Sequence, residues 1–141
     1  MDLTPHLVVG AAIGARVRRP ALALPAAFAS HFVLDTVPHI DIGWINGPNL
    51  SAAVDTALGL ALCGILVWSA GSWAPFAAAL AALLPDAPGI KAYVEGAAGV
   101  VFPHLTAYPP WGIATEVLTT AAALAWGLRG RGAGAPVSRN R

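Results

Sequence analysis

The chain has 141 residues, 57% hydrophobic and only 11% charged, with a formal net charge of +1 and a mean hydropathy of +0.66. An ordinary soluble domain carries about 25% charged residues, so 8 Lys and Arg with 7 Asp and Glu cannot cover a soluble surface. A disordered chain would be polar and a nucleic-acid partner would call for a strongly basic surface, so the composition leaves an all-α integral membrane helical bundle of about four to five transmembrane helices in a lipid bilayer.

The N-terminus, Met1-Asp2-Leu3-Thr4-Pro5-His6, lacks the basic start of a signal peptide. The first apolar run, Leu7 to Ala15, is therefore expected to belong to the mature protein. Thr4 reads as its N-cap and Pro5 as its first helical residue. The run is short for a full span, so a tilted, partial or re-entrant helix is expected. Arg16, Arg18 and Arg19 end it. The second stretch, Ala21 to Val37, carries Pro25, Ser30, His31 and Asp35, and Pro38 stops it, because a residue before proline resists the α conformation.

His39 to Asn49 reads as a loop rich in Gly, Pro and Asn. Asn49 or Ser51 is expected to cap a third helix that runs to about Ala70 with Asp55 near its start. Gly71-Ser72 predicts a tight turn, with Ser72 capping a fourth helix that has Pro75 in its first turn and ends at Leu84-Pro85-Asp86. No charge occurs from Thr56 to Pro85, which fits a helical hairpin across a membrane. Residues 86 to 110 form the longest connection, with room for a short amphipathic helix around Ile90 to Val101. Lys91 and Glu95 there read as a solvated i, i+4 pair. A fifth helix is expected from Trp111 to Leu128. Residues 1–128 thus form one transmembrane domain, and 129–141 a disordered basic tail. The five tryptophans read as anchors at the bilayer interface. Cys63, the only cysteine, excludes an intramolecular disulfide and reads as a small buried hydrophobe.

Seven of the eight basic residues lie in the Arg16–Arg19 turn or beyond the last helix. The positive-inside rule puts both regions in the cytoplasm of a plasma or inner membrane. Alternation through five segments then brings His6, His39, Asp41, Asp86 and His104 to the outer side, with His31, Asp35, Asp55 and Glu116 within a turn or two of it. The acids and histidines were not used to set the orientation, so their segregation is independent of it.

His31 and Asp35 stand at i and i+4 and share a helix face, and His39 follows four further on. An imidazole and a carboxylate at this spacing suit a divalent zinc, manganese or iron ion. An Asp within a membrane helix costs about 2.5–3.5 kcal/mol on insertion scales, so a partner is expected. The plainer readings are a hydrogen-bonded core for a lone His, a first-turn acid at the helix dipole for Asp55, and turn residues for Asp41 and Asp86. Taken together, His6, His31, Asp35, His39, Asp55, Asp86 and His104 form the candidate metal-ligand set.

Thr4-Pro5-His6 before Gly10-Ala11-Ala12-Ile13-Gly14, Ser30-His31-Phe32-Val33-Leu34-Asp35 with Pro38-His39, and Leu84-Pro85-Asp86 together resemble the small membrane-bound metal-dependent hydrolases. The resemblance is densest over residues 4–41 and weak after residue 90. Pro5 interrupts that family's Thr-His pair, Ala87-Pro88 replace an acid and a His, and a His-rich stretch is reduced to His104 with Thr106. The resemblance implies metal-dependent hydrolysis and no substrate; because the site opens on the outer side, a lipid or lipid-linked phosphoester at the outer leaflet is expected. His6, His31, Asp35, Asp55 and Asp86 would hold one or two ions, His39 or His104 would complete the shell, and Asp35 or Asp55 would serve as ligand or general base. The competing reading is a non-catalytic membrane protein, either a metal- or proton-binding transport component, whose through-path would need a homo-oligomer, or a structural partner whose polar cluster ties helices together. A bis-histidine haem site fits the adjacent acids less well than a harder ion does.

Overall fold

Apolar runs separated by prolines, glycines and arginines become helices at nearly the expected places. The computed structural model describes residues 2–40, 50–88 and 110–129. Among them the chain is all-α: α1 (Leu3–Arg16), α2 (Pro20–Asp35), α3 (Leu50–Ala70), α4 (Ala74–Leu83), a 3₁₀ turn (Leu84–Asp86) and α5 (Trp111–Leu128). Asp41, Lys91, Glu95, His104, the proposed helix at 90–101 and the tail from 130 lie outside the described residues.

Helix α1 is the central post. Ten of its 14 residues are buried, against four of 21 in α3 and two of 18 in α5. The other four helices all pack on it. Its neighbours fix the directions. Thr4 bonds Asp55 while Ala12 and Leu66 share a core cluster, so α3 runs parallel to α1. Asp2 meets Glu116 and Arg16 lies 6.0 Å from the Trp126 ring, so α5 does too. Gly14 faces Ala74 and Gly10 faces Ala82, so α4 runs antiparallel. His6 meets Asp35 while Ile13 packs with Ala27, which makes α2 antiparallel as well. The helices thus alternate, with α1, α3 and α5 in one direction and α2 and α4 in the other.

The α1–α4 contact is the closest. A Cβ added at Gly10 would stand 2.8 Å from the Ala78 carbonyl oxygen and 2.9 Å from the Ala79 Cα. At Gly14 it would stand 2.8 Å from the Pro75 Cα. Gly10-x-x-x-Gly14 against Ala74, Ala78 and Ala82 is a small-residue seam of the kind that lets helix backbones touch. The buried core is accordingly rich in alanine (Ala11, Ala12, Ala27, Ala78, Ala79 and Ala82), with Leu7, Leu66 and Cys63. Large side chains point outward instead, among them Val33, Leu50, Trp68, Leu84, Trp111 and Leu118.

Helix α3 is, among the described residues, the one helix long and apolar enough to cross a membrane, and only 22% of its most apolar stretch is buried inside the bundle. Helices α2 and α4 are apolar but shorter. The 14 residues of α1 rise about 21 Å, short of a hydrocarbon core of roughly 30 Å, as expected for a short first segment.

Several helix ends differ in detail from the sequence reading. Asp2, not Thr4, is the N-cap of α1, and Pro5 lies inside its first turn, where a missing N–H costs nothing. Trp73, not Ser72, is the N-cap of α4. Helix α2 ends at Asp35, two residues early, where Thr36 N–H turns back to the Val33 carbonyl and Val37 N–H to that of Leu34. Asn49 directly precedes α3 but is not described, whereas Ser51 falls inside the helix. Gly71, with φ of 63°, makes the expected turn after α3 in the left-handed region that favours glycine.

If the α1–α4 seam sets the packing, Gly10→Val and Gly14→Val should each destabilise the bundle by about 1–3 kcal/mol or more. Gly64→Ala, whose Cβ would enter open space, should leave the midpoint of thermal unfolding in detergent nearly unchanged. Equal midpoints for all three variants would contradict this account.

Candidate metal centre

The antiparallel register of α1 and α4 decides what gathers at one end. Each four-residue step toward the start of α1 moves one turn toward the end of α4: Gly14 faces Ala74, and Gly10 faces Ala78 and Ala82. One further step brings His6 level with the 3₁₀ turn that holds Asp86. Helix α2 delivers His31 and Asp35 to the same level.

The contacts follow from that convergence. His6 Nε2 lies 3.2 Å from Asp35 Oδ1, and His31 Nε2 lies 3.1 Å from Asp35 Oδ2. Asp86 Oδ1 stands 3.3 Å from His31 Nε2. The two imidazoles stack, with centroids 4.2 Å apart and planes 25° from parallel. His6, His31 and Asp35 are all buried, whereas the Asp86 side chain is 28% exposed. A buried carboxylate is costly unless it is paired, and here two rings flank it.

His6, His31 and Asp35 form a buried group that could hold a metal ion, with one ligand atom from each lying within 4.8 Å of the others. Four-coordinate zinc with ligands at about 2.0–2.2 Å separates neighbouring ligand atoms by roughly 3.3 Å, close to the spacings found here. His31 Nε2 is within reach of two carboxylate oxygens yet makes no aligned hydrogen bond to either. The close approach of His31 and Asp35 is therefore as compatible with a shared ion as with a direct pair. The Nδ1 atoms of both rings find no hydrogen-bond partner among the described residues, so Nε2 is the nitrogen that each presents to the acids. Two imidazoles with a carboxylate suit zinc, manganese or iron.

Asp55 and His39, also in the candidate ligand set, and Glu116, which is not, have other contacts. Asp55 faces the start of α1, where its carboxylate accepts the Thr4 N–H at 3.2 and 3.3 Å and its backbone carbonyl accepts the Thr4 hydroxyl at 2.6 Å. Glu116 accepts the Asp2 N–H at 3.3 Å. A helix start leaves four N–H groups without internal partners. At α1, Glu116 and Asp55 take two of them and Pro5 removes a third. His39 is fully buried, with Nδ1 2.7 Å from the Val37 carbonyl oxygen, and is not part of the three-residue group. Asp41 and His104 lie outside the described residues. The sequence reading missed the pairing of Asp2 with Glu116 and that of Thr4 with Asp55. The only local signal was the placement of Asp55 and Glu116 in the second turns of their helices.

Comparisons with protein-family models, with curated proteins and with solved structures give no match.

Asp55 should therefore behave as a cap from a neighbouring helix. Asp55→Ala should lower stability by about 1 kcal/mol, as loss of a helix N-cap does, while Asp55→Asn, which keeps an acceptor, should cost less. Neither should change the metal content of purified protein. Release of metal by Asp55→Asn would instead make this residue a ligand.

Proposed function

We propose that this chain is an integral membrane bundle that binds a divalent cation through His6, His31 and Asp35 and hydrolyses a lipid or lipid-linked phosphoester at the outer membrane face. The observation that carries the reading is the buried His6–His31–Asp35 group beneath one partly exposed carboxylate, Asp86. The resemblance of residues 4–41 and of Leu84-Pro85-Asp86 to membrane-bound metal-dependent hydrolases supports the reaction class. Helix α3 and the outward-facing Leu, Val and Trp side chains support the bilayer setting. Arg16, Arg18, Arg19 and Arg129 are exposed at the end opposite His6, and by the positive-inside rule that end is cytoplasmic.

A divalent ion so held supplies a Lewis acid and a bound water of lowered pKa. The chain's own residues do the rest. Two neutral imidazoles and one carboxylate would leave the ion partly uncompensated on its ligand side, and Asp86 balances the remaining charge until a phosphoester oxygen approaches the ion. The burial of His6 and His31 keeps bulk water from the ligands and strengthens electrostatic interactions there. Asp86 is the carboxylate with access to solvent. Beside His31, it is the group to take a proton from an attacking water. A transport role gains less support, because no His, Asp or Glu stands at the arginine end among the described residues.

The test is metal analysis of the full chain, purified in mild detergent without a His tag and then metal-repleted. Wild type should hold stoichiometric metal, and His31→Ala and Asp35→Ala should lose it. Asp86→Asn should keep the metal but slow hydrolysis of a phosphatidate panel by about 10²- to 10⁴-fold, the usual worth of a general base. Metal-free wild type would leave the cluster as a tie between α1, α2 and α4. For topology, Arg18→Cys should resist an impermeant maleimide in intact cells and Ala87→Cys should react.

A further inference from the structure

An open groove of about 470 Å³ lies between α2 and α4, with Leu24 and Phe28 on one wall and Ala77, Ala81 and Leu84 on the other. Every residue lining it is apolar. Both walls continue into the metal group. On α2, Leu24, Phe28, His31 and Asp35 follow at spacings of four, three and four, which is one helix face. Phe28 and His31 are separated by a rise of about 4.5 Å along the axis. On α4, Ala77, Ala81 and Leu84 lead through Pro85 to Asp86, whose Oδ1 lies 3.3 Å from His31 Nε2. The groove is therefore apolar along its length and polar at one end.

We propose that this groove seats one acyl chain of a phospholipid substrate, with the lipid phosphate at the His31–Asp86 end. The inference rests on the hydrolase reading above and names its substrate class. The order of polarity along the groove matches an amphiphile with a hydrocarbon tail and an anionic head. A water-soluble phosphoester would leave the apolar walls unused, and an apolar protein helix would leave the polar end unmatched. Lipid tails are as apolar as the groove itself, so transfer out of the bilayer contributes little. The anchored head selects this groove over the rest of the apolar exterior.

The test places the full chain in phosphatidylcholine nanodiscs doped with phosphatidic acid that bears a diazirine on one acyl chain. After irradiation, peptides containing Leu24–Phe28 and Ala77–Leu84 should be labelled several-fold above those containing the exposed α3 residues Val54 and Leu58. Ala77→Trp, a substitution at an exposed position that fills the groove, should lower labelling of the α2 wall several-fold. Labelling of α3 and the bound metal should not change. Equal labelling of groove and α3, or indifference to Ala77→Trp, would overturn the proposal. Phosphate release from short-chain phosphatidic acid in detergent is scored separately. Groove labelling without release would keep the lipid site and sink the hydrolase reading, whereas release with uniform labelling would do the reverse.

Discussion

The polar end of this protein depends on how closely α1 and α4 approach. Two glycines one turn apart remove every side chain from the α1 face that meets Ala74, Ala78 and Ala82, and the backbones come within contact of one another. Such an interface gains its energy from many small dispersion contacts, and it tolerates neither a shift along the axis nor a rotation. A slip of one turn would carry Asp86 about 5.4 Å away from the level of His6. The His–Asp group is thus placed by residues one or more helical turns away from it, such as Gly10 and Ala82, none of which has any chemistry of its own.

The acids at that end divide between two tasks. Asp35 and Asp86 attend the imidazoles, whereas Asp55 and Glu116 satisfy the start of α1. The second task follows from the position of α1 itself. A helix that begins in the middle of a bundle cannot turn its first N–H groups toward water. Three helix starts, those of α1, α3 and α5, also lie at this end, and their partial positive charge favours carboxylates there. The collection of acids on one side, which composition alone suggests is for an ion, therefore has a structural origin for about half its members.

The boundary between what was legible and what was not follows the same division. Helix α5 begins and ends where its apolar run does, and the reversal of direction from α1 to α2 and from α3 to α4 is what the short turns between them impose. His31 and Asp35 could be placed together because a helix carries i to i+4 without any tertiary information. The same spacing from Asp35 to His39 carries less, because Pro38 ends the regular geometry; there the His39 Nδ1 lies 2.7 Å from the Val37 carbonyl oxygen. Thr4 and Asp55 are 51 positions apart, and no local pattern links them. Thr4 was the right residue type for a cap but stands inside the first turn, where its hydroxyl serves a neighbouring helix.

The distribution of size across the bundle ties these features to function. Alanine and glycine fill the inside, and leucine, valine and tryptophan cover much of the outside, the reverse of what water would select. An interior of small residues brings the helices close together, and ten of the 14 residues of α1 are buried. The imidazoles are buried, and Asp86 is the partly exposed member of the group. The groove between α2 and α4 lies on the same stretches of chain, and Phe28 and Leu84 in its lining are three and two residues from His31 and Asp86. A molecule that is part hydrocarbon and part anion is the kind of ligand for which both features would be used at once.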